Sequence, residues 1–302
     1  ITADVLRPAA QRLADFRSDF EGLTIRVATV QDIYNEYSGG RKDITAIRNF
    51  IRSVYRKSDQ LKNVLLLGEA TYSYYNPKNL VPTYQSYNSV HNVHSYASDD
   101  FYGFMDKDEG EWPENTSANN PVHDMEIGIG RLPAESLQEA NAVIDKIIEY
   151  ETGSAALGPW RNKAACIADD GESNKFQLQS DFLATDLETK RPSLNLDRVF
   201  VDAFRQDLPQ SPVTQEINDH LQNGVLIIDF IGHGGETAWT NEGILRTTTI
   251  EGWQNKNQLP IFLTATCEFG RFDDPDRRSG AELALLKPDG GSIGMFTTTR
   301  PV

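Results

Sequence analysis

Two residues, His233 and Cys267, combine reactive side chains with surroundings suited to act together on one carbonyl group. The stretch 225–239 reads VLIIDFIGHGGETAW, an apolar run that stops at Ile231 and leads into His233, flanked by Gly232, Gly234 and Gly235. An imidazole changes charge near neutral pH, and flanking glycines let another backbone approach and leave main-chain N–H groups accessible. A second apolar run, Pro260–Thr266 (PIFLTAT), stops at Cys267. Nucleophilic acyl transfer needs a thiol or hydroxyl, a base within reach and N–H donors for the developing oxyanion. Cys267 is the candidate nucleophile, His233 the candidate general base, and the N–H groups of Gly234 and Cys267 the candidate oxyanion donors. The bland alternative makes His233 an incidental turn residue and Cys267 a small hydrophobe, a common fate of free cysteines. Polar Glu268 and Arg271 after Cys267 argue against it.

The other reactive residues have weaker surroundings. Cys166 lies inside the apolar run Ala164–Ala168 and reads as a buried structural thiol; a Cys166–Cys267 disulfide would consume the nucleophile. The two cysteines form no CxxC pair and no cluster with zinc spacing, so no zinc centre is expected; a structural calcium is possible but nothing in the sequence supports one. Asp124 and Glu126 stand at the start of the EIGIGRLP segment, where a carboxylate either orients an imidazole or simply faces solvent. Asp106, Asp108 and Gly110, within the acidic run 106–111, faintly resemble a calcium loop but lack its remaining positions, which favours a solvated acidic loop. Asp273, Asp274 and Asp276 either bind a cationic group or pair with Arg271, Arg277 and Arg278. His91, His94, His123 and His220 have no comparable context, and Asn115-Thr116-Ser117 is an isolated sequon.

The elements that must position His233 and Cys267 are short apolar runs alternating with amphipathic segments. Strands are expected over Leu23–Val30, Val64–Leu67, Glu126–Ile129, Ala164–Ala168, Arg198–Asp202, Val225–Ile231, Pro260–Thr266 and Ser292–Thr298. Several are apolar throughout, as in strands buried on both faces. Helices are expected over Asp43–Tyr55, over Glu135–Tyr150 with the stripe Ala140, Val143, Ile144, Ile147 and Ile148, and after Ser211. In the last, Pro212 suits the first turn and Gly224 marks the stop. The alternation predicts an α/β fold with mostly parallel sheets flanked by helices. One crossover helix near Thr247–Trp253 would set the strands before His233 and Cys267 side by side, and ligands bind beyond the carboxyl ends of such strands. The small-residue stretch Thr152–Pro159 suggests two α/β subdomains, 1–151 and 152–302, with the dyad in the second. The polar region from Tyr72 to Val122 reads as surface loops near the active site.

Composition narrows the function classes. A formal net charge of −15 over 302 residues disfavours binding to phosphate backbones, so nucleic acid is not an expected partner. No apolar run is long enough to span a membrane. The chain begins Ile1-Thr2-Ala3 without an initiator Met, which fits a processed chain. Gly128-Ile129-Gly130 lacks the third glycine of a dinucleotide fingerprint, and no P-loop GK[ST] occurs.

The sequence also carries a resemblance. IGHGGETAW followed by LPIFLTATCEFGRFDDP resembles the gingipain-type cysteine peptidases, whose fold is similar to that of caspases. DITAIRNFIRSVY, NVLLLGEATYSYYN, LVPTYQS, SYASDDFYG, MEIGIGRLPAES, CIADDGE and GGSIGMFTTTR resemble its PorU-like branch, the cell-surface sortases of bacterial type IX secretion. The resemblance covers essentially the whole chain. It implies removal of a C-terminal sorting domain from exported cargo proteins and transfer of the new C-terminus, through a Cys267 thioester, to an amine-bearing acceptor on anionic lipopolysaccharide. It places the third-member carboxylate on Glu126 and suggests that Trp239 walls the substrate pocket. It further implies outer-membrane association at the cell surface, contact with other secretion components through regions outside this chain, and no required cofactor. The alternatives are a secreted endopeptidase that only hydrolyses and a non-catalytic scaffold that keeps the fold.

Overall fold

The computed structural model describes residues 1–58, 60–86, 95–110, 123–205 and 211–302. They form two compact units, one of Ile1–Ile144 with Phe272–Asp276, the other of Asp145–Arg271 with Arg277–Val302.

The first unit opens with three helices. Helix α1 (Arg7–Glu21) carries Pro8 in its first turn and ends at Gly22, whose φ of 71° is the left-handed conformation that glycine adopts without a Cβ penalty. Helix α2 (Val30–Tyr37) is capped by Thr29, whose side chain accepts from Asp32 N–H, and α3 (Ile44–Lys57) by Asp43, which accepts from Thr45 N–H. Strand β1 (Asn63–Leu67) is followed by β2 (Tyr84–Gln85) and β3 (Ala97–Ser98), which pair antiparallel, and by β4 (Gly128–Leu132), which pairs parallel with β1. The expected strand over 23–30 does not form a ladder. Only Thr29 is bridged, by Thr2, and the chain turns at Val30 into α2. The core gathers Ile33, Tyr34, Ile47, Ile51, Leu66, Tyr102 and Ile127. The inserted segment 272–276 is held by Tyr72 N–H donating to Asp273 O at 2.8 Å and by the Arg131 guanidinium, 5.0 Å above the Phe272 ring. Helix α4 (Leu137–Thr152) buries Ala140, Val143 and Ile144 of the expected stripe.

The second unit is built on one parallel sheet. Its elements are β5 (Lys163–Ala168), α5 (Gly171–Lys190), β6 (Asn195–Phe200), α6 (Pro212–Asn223), β7 (Ile227–Ile231), β8 (Gly234–Gly235), β9 (Ala238–Trp239), β10 (Leu245–Arg246), α7 (Thr247–Glu251), β11 (Ile261–Ala265), α8 (Gly280–Leu286) and β12 (Gly294–Phe296). Strand order is β12-β11-β7-β5-β6, every neighbour parallel, and β8, β9 and β10 make a small antiparallel sheet. One sheet face, with Ala165, Ile167, Ile228, Phe230 and Phe262, packs on Val213, Ile217 and Leu221 of α6 and on residues of α7 and α8. On the other face lies α5, where Arg198 reaches Asp181 and Glu188. Lys146 Nζ caps the end of α8 by donating to Leu285 O at 2.6 Å and Lys287 O at 2.9 Å. Among the described residues no helix is long and apolar enough to cross a membrane.

Candidate active site

Every residue around His233 and Cys267 described here belongs to the second unit. Strand β7 ends at Ile231 and its parallel neighbour β11 at Ala265, and these two residues are paired. His233 and Cys267 each stand two residues further on, at the carboxyl ends where sheets of this kind present working side chains. The single short helix α7 lies in the connection, as the crossover argument requires. Gly232 N–H donates to Ala265 O at 3.3 Å.

The glycines beside His233 are demanded by close approach. A Cβ on Gly234 would fall 2.4 Å from Thr266 Oγ1 and 3.1 Å from Ala238 O, and one on Gly232 would fall 2.4 Å from Asp169 Cβ. A Cβ contact of 2.4 Å is essentially never seen, so side chains here would push the histidine segment off the strand ends that carry Asp169 and Cys267.

His233 is exposed, and its neighbours are specific. Its N–H donates to Asp169 Oδ2 at 2.9 Å, and Asp169 Oδ1 accepts from Gly171 N–H at 3.2 Å. The Glu172 carboxylate lies 3.5 Å from His233 Nε2, and the Phe176 ring meets the imidazole edge-on at 5.1 Å between centroids. Thr240 N–H donates to His233 O at 2.8 Å, closing the β8–β9 hairpin.

Cys267 is partly exposed, whereas Cys166 is buried, and both are free thiols. Burial, followed by the Asp229 carboxylate, pushes the Cys166 thiol up to about 12, which keeps it protonated and inert. The Cys267 sulfur has Val302 N–H 3.5 Å away. Glu268 follows with a φ of 55°, a left-handed turn in a non-glycine residue immediately after the thiol.

Glu126 lies in the first unit ahead of β4, where its Oε2 accepts from Met105 N–H at 2.7 Å. Its carboxylate comes within 4.8 Å of those of Asp106 and Glu109, a grouping that takes in two residues of the acidic run 106–111 but not Asp108. Asp124 is exposed. Trp239 does not wall an open pocket: it is 0% exposed, stacks on Phe230 at 4.2 Å and packs against Phe262 and Phe269. Its large apolar ring gains more by supporting the hairpin from the core than it would on a surface. His220 Nδ1 sits 3.9 Å from Asp197, and His123 packs near Phe104. Arg271 and Arg277 turn to Glu236. His91, His94 and the sequon lie outside the described residues.

Sequence reasoning passed over Asp169 and Glu172. The signal was available: CIADDGE places acidic residues directly after β5, the strand beside β7, so the strand-end argument applied to 163–168 leads to them.

Comparison with known proteins gives the family and the fold. The model of peptidase family C25 matches residues 1–302. Gingipain R2 of Porphyromonas gingivalis is 26% identical over 260 residues, covering 83% of this chain and 29% of that protein. Lys-gingipain HG66 of the same organism is 26% identical over 162 residues, covering 53% of this chain and 9% of its own length. The crystal structure of the Arg-specific cysteine proteinase gingipain R superposes with a TM-score of 0.74 at 23% identity, over 99% of this chain and 61% of that one. The two share the caspase-like fold, a central mostly parallel sheet flanked by helices. The chain spans less than a third of the length of Gingipain R2.

Proposed function

The chain belongs to peptidase family C25, and from that membership we propose that it is a cysteine endopeptidase with Cys267 as nucleophile and His233 as general base. One observation carries the assignment. The two residues stand at matching positions beyond the paired ends of adjacent parallel strands, Ile231 opposite Ala265.

The chemistry follows from that placement. His233 takes the proton from Cys267 Sγ, and the thiolate attacks the scissile carbonyl carbon. The N–H groups of Gly234 and Cys267 are the donors for the oxyanion of the tetrahedral intermediate. Collapse breaks the C–N bond, His233 returns the proton to the departing amine, and the acyl group remains on sulfur as a thioester. The resemblance gives the orienting carboxylate to Glu126; within the second unit the group beside the imidazole is Glu172, which is our assignment.

The thioester's fate separates two readings. In the sortase reading, the departing fragment is a C-terminal sorting domain of exported cargo and the resolving nucleophile is an amine on anionic lipopolysaccharide, with His233 accepting the amine proton. In the hydrolytic reading water takes that place. The PorU-like motifs across the chain favour transfer. Incubation with a cargo-derived peptide and a small primary amine tests this. Mass spectrometry that finds the amide adduct supports the sortase, and free acid alone, at saturating amine, leaves the endopeptidase.

A further inference from the structure

The segments on either side of the dyad share a half-hidden ion-pair network that the mechanism above does not use. Glu236 stands three residues after His233, in the turn between β8 and β9, and its side chain is 12% exposed. Arg271 stands four residues after Cys267, and its side chain is 8% exposed. Arg271 Nη1 donates to Glu236 Oε1 at 2.6 Å and lies 3.4 Å from Glu268 Oε1, on the residue adjoining the thiol. The second Glu236 oxygen accepts from Arg277 Nη1 at 2.9 Å, and its main-chain oxygen accepts from Gly280 N–H, the first residue of α8, at 2.7 Å. Helix α8 is in turn fixed by a capping box between Ser279 and Glu282.

We propose that Glu236 and Arg271 are positioning residues, a charged clamp that sets where the histidine hairpin stands against the cysteine turn; this rests on the peptidase reading above. The physical case has three parts. The pair is largely withdrawn from water, so its attraction is screened much less than that of a surface pair. It joins two segments that have little regular structure of their own, a hairpin of two-residue strands and a turn whose Glu268 holds a φ of 55°. Proton transfer and attack demand close alignment, and a displacement of about 1 Å at a reacting group costs on the order of 100-fold in rate. Glu236 is thus the hub through which α8, Arg277 and Arg271 hold the hairpin.

Glu236→Gln removes the charge with little change of shape, and Arg271→Met removes the partner. Both are expected to lower kcat on a peptide substrate by about 10- to 100-fold with KM within threefold, because the loss is in alignment and not in uniform binding. In both, the rate of Cys267 alkylation by iodoacetamide at pH 7 should fall by about 10-fold, as the thiol loses its ordered imidazole base. Arg271→Lys should recover part of both losses. Glu236→Asp, which keeps the charge but draws it back by one methylene, gives the same test with a smaller effect if Glu236→Gln does not fold. An alkylation rate and kcat unchanged in folded Glu236→Gln and Arg271→Met would overturn the clamp, whatever happens to their melting temperatures. Alkylation reads the clamp without substrate turnover. Failure of the peptidase reading shows separately, as the absence of Cys267-dependent cleavage in the unsubstituted protein.

Discussion

Glu172 Oε1 lies 3.5 Å from His233 Nε2, and Glu172, Ser173 and Asn174 hold consecutive positive φ angles of 54°, 56° and 65°. Left-handed backbone costs a non-glycine residue about 1–2 kcal/mol, and such strain gathers where a side chain has a task. In the proposed mechanism, a carboxylate here would stabilise the imidazolium formed as Cys267 gives up its proton.

Glu172→Gln is therefore expected to lower kcat/KM by roughly 10-fold, since the imidazole loses the anion beside it. Glu126→Gln, in a carboxylate that accepts from Met105 N–H, should stay within about twofold. The reverse ordering of the two variants in a full pH–rate comparison would return the orienting role to Glu126.

The dyad predicts a labelling pattern. A peptide probe with a thiol-reactive warhead should modify the chain once, at Cys267, and leave the buried Cys166 untouched, because a thiol held at about 12 has almost no thiolate at pH 7. Labelling should vanish in Cys267→Ala and fall on the order of 100-fold in His233→Ala. Peptide mapping that finds the probe on Cys166, or on Cys267→Ala protein at the original rate, would remove the basis for the mechanism.

Gly234→Ala probes the closeness of the two strand ends. The added methyl would sit 2.4 Å from Thr266 Oγ1, so the hairpin or the strand end must give way. Overpacking of this kind costs about 1–3 kcal/mol, and the accompanying shift of His233 should lower kcat by roughly 100-fold. Thr266→Ala removes the obstructing oxygen, so the double variant should recover much of the stability in urea denaturation. A double-mutant cycle with no coupling between the two positions would show that the contact is not the cause.

Much of this site was legible from residue order, because strands buried on both faces announce themselves. Ile227–Ile231 is apolar but for Asp229 and Ile261–Ala265 but for Thr264, and His233 and Cys267 follow each at the same distance. Helix α5 was hidden for the opposite reason. It presents Gln177, Ser180 and Ala184 to the unit and exposes Leu178 and Phe182, so no apolar stripe marks it. That concealed the segment carrying Glu172. The expected strand at 23–30 misled because alternation of Leu23, Ile25 and Val27 describes an extended segment without saying whether a partner strand exists. Trp239 shows a related gap: sequence spacing fixes its place after His233 but not whether the ring turns to solvent or to the core.

Asp229 offers a test of energetics away from the dyad. It is paired in register with Cys166 on β5 and Leu263 on β11, and its Oδ2 is buried without a hydrogen-bond partner among the described residues. Burial raises its carboxyl from 3.8 to about 6. The folded state therefore holds this proton up to about pH 6, whereas the unfolded chain releases it near 3.8. Between those values the folded state binds more protons, so stability falls as pH rises through the window, and the cost persists above it. A shift of this size corresponds to roughly 2 kcal/mol once partial solvent access is allowed for. Asp229→Asn removes the charge, and is expected to be about 2 kcal/mol more stable than the parent at pH 7.5 and about equal to it at pH 3.5. Urea denaturation of both proteins at the two pH values measures this directly. An advantage for Asp229→Asn that is the same at both would mean that the gain comes from packing and not from the buried charge.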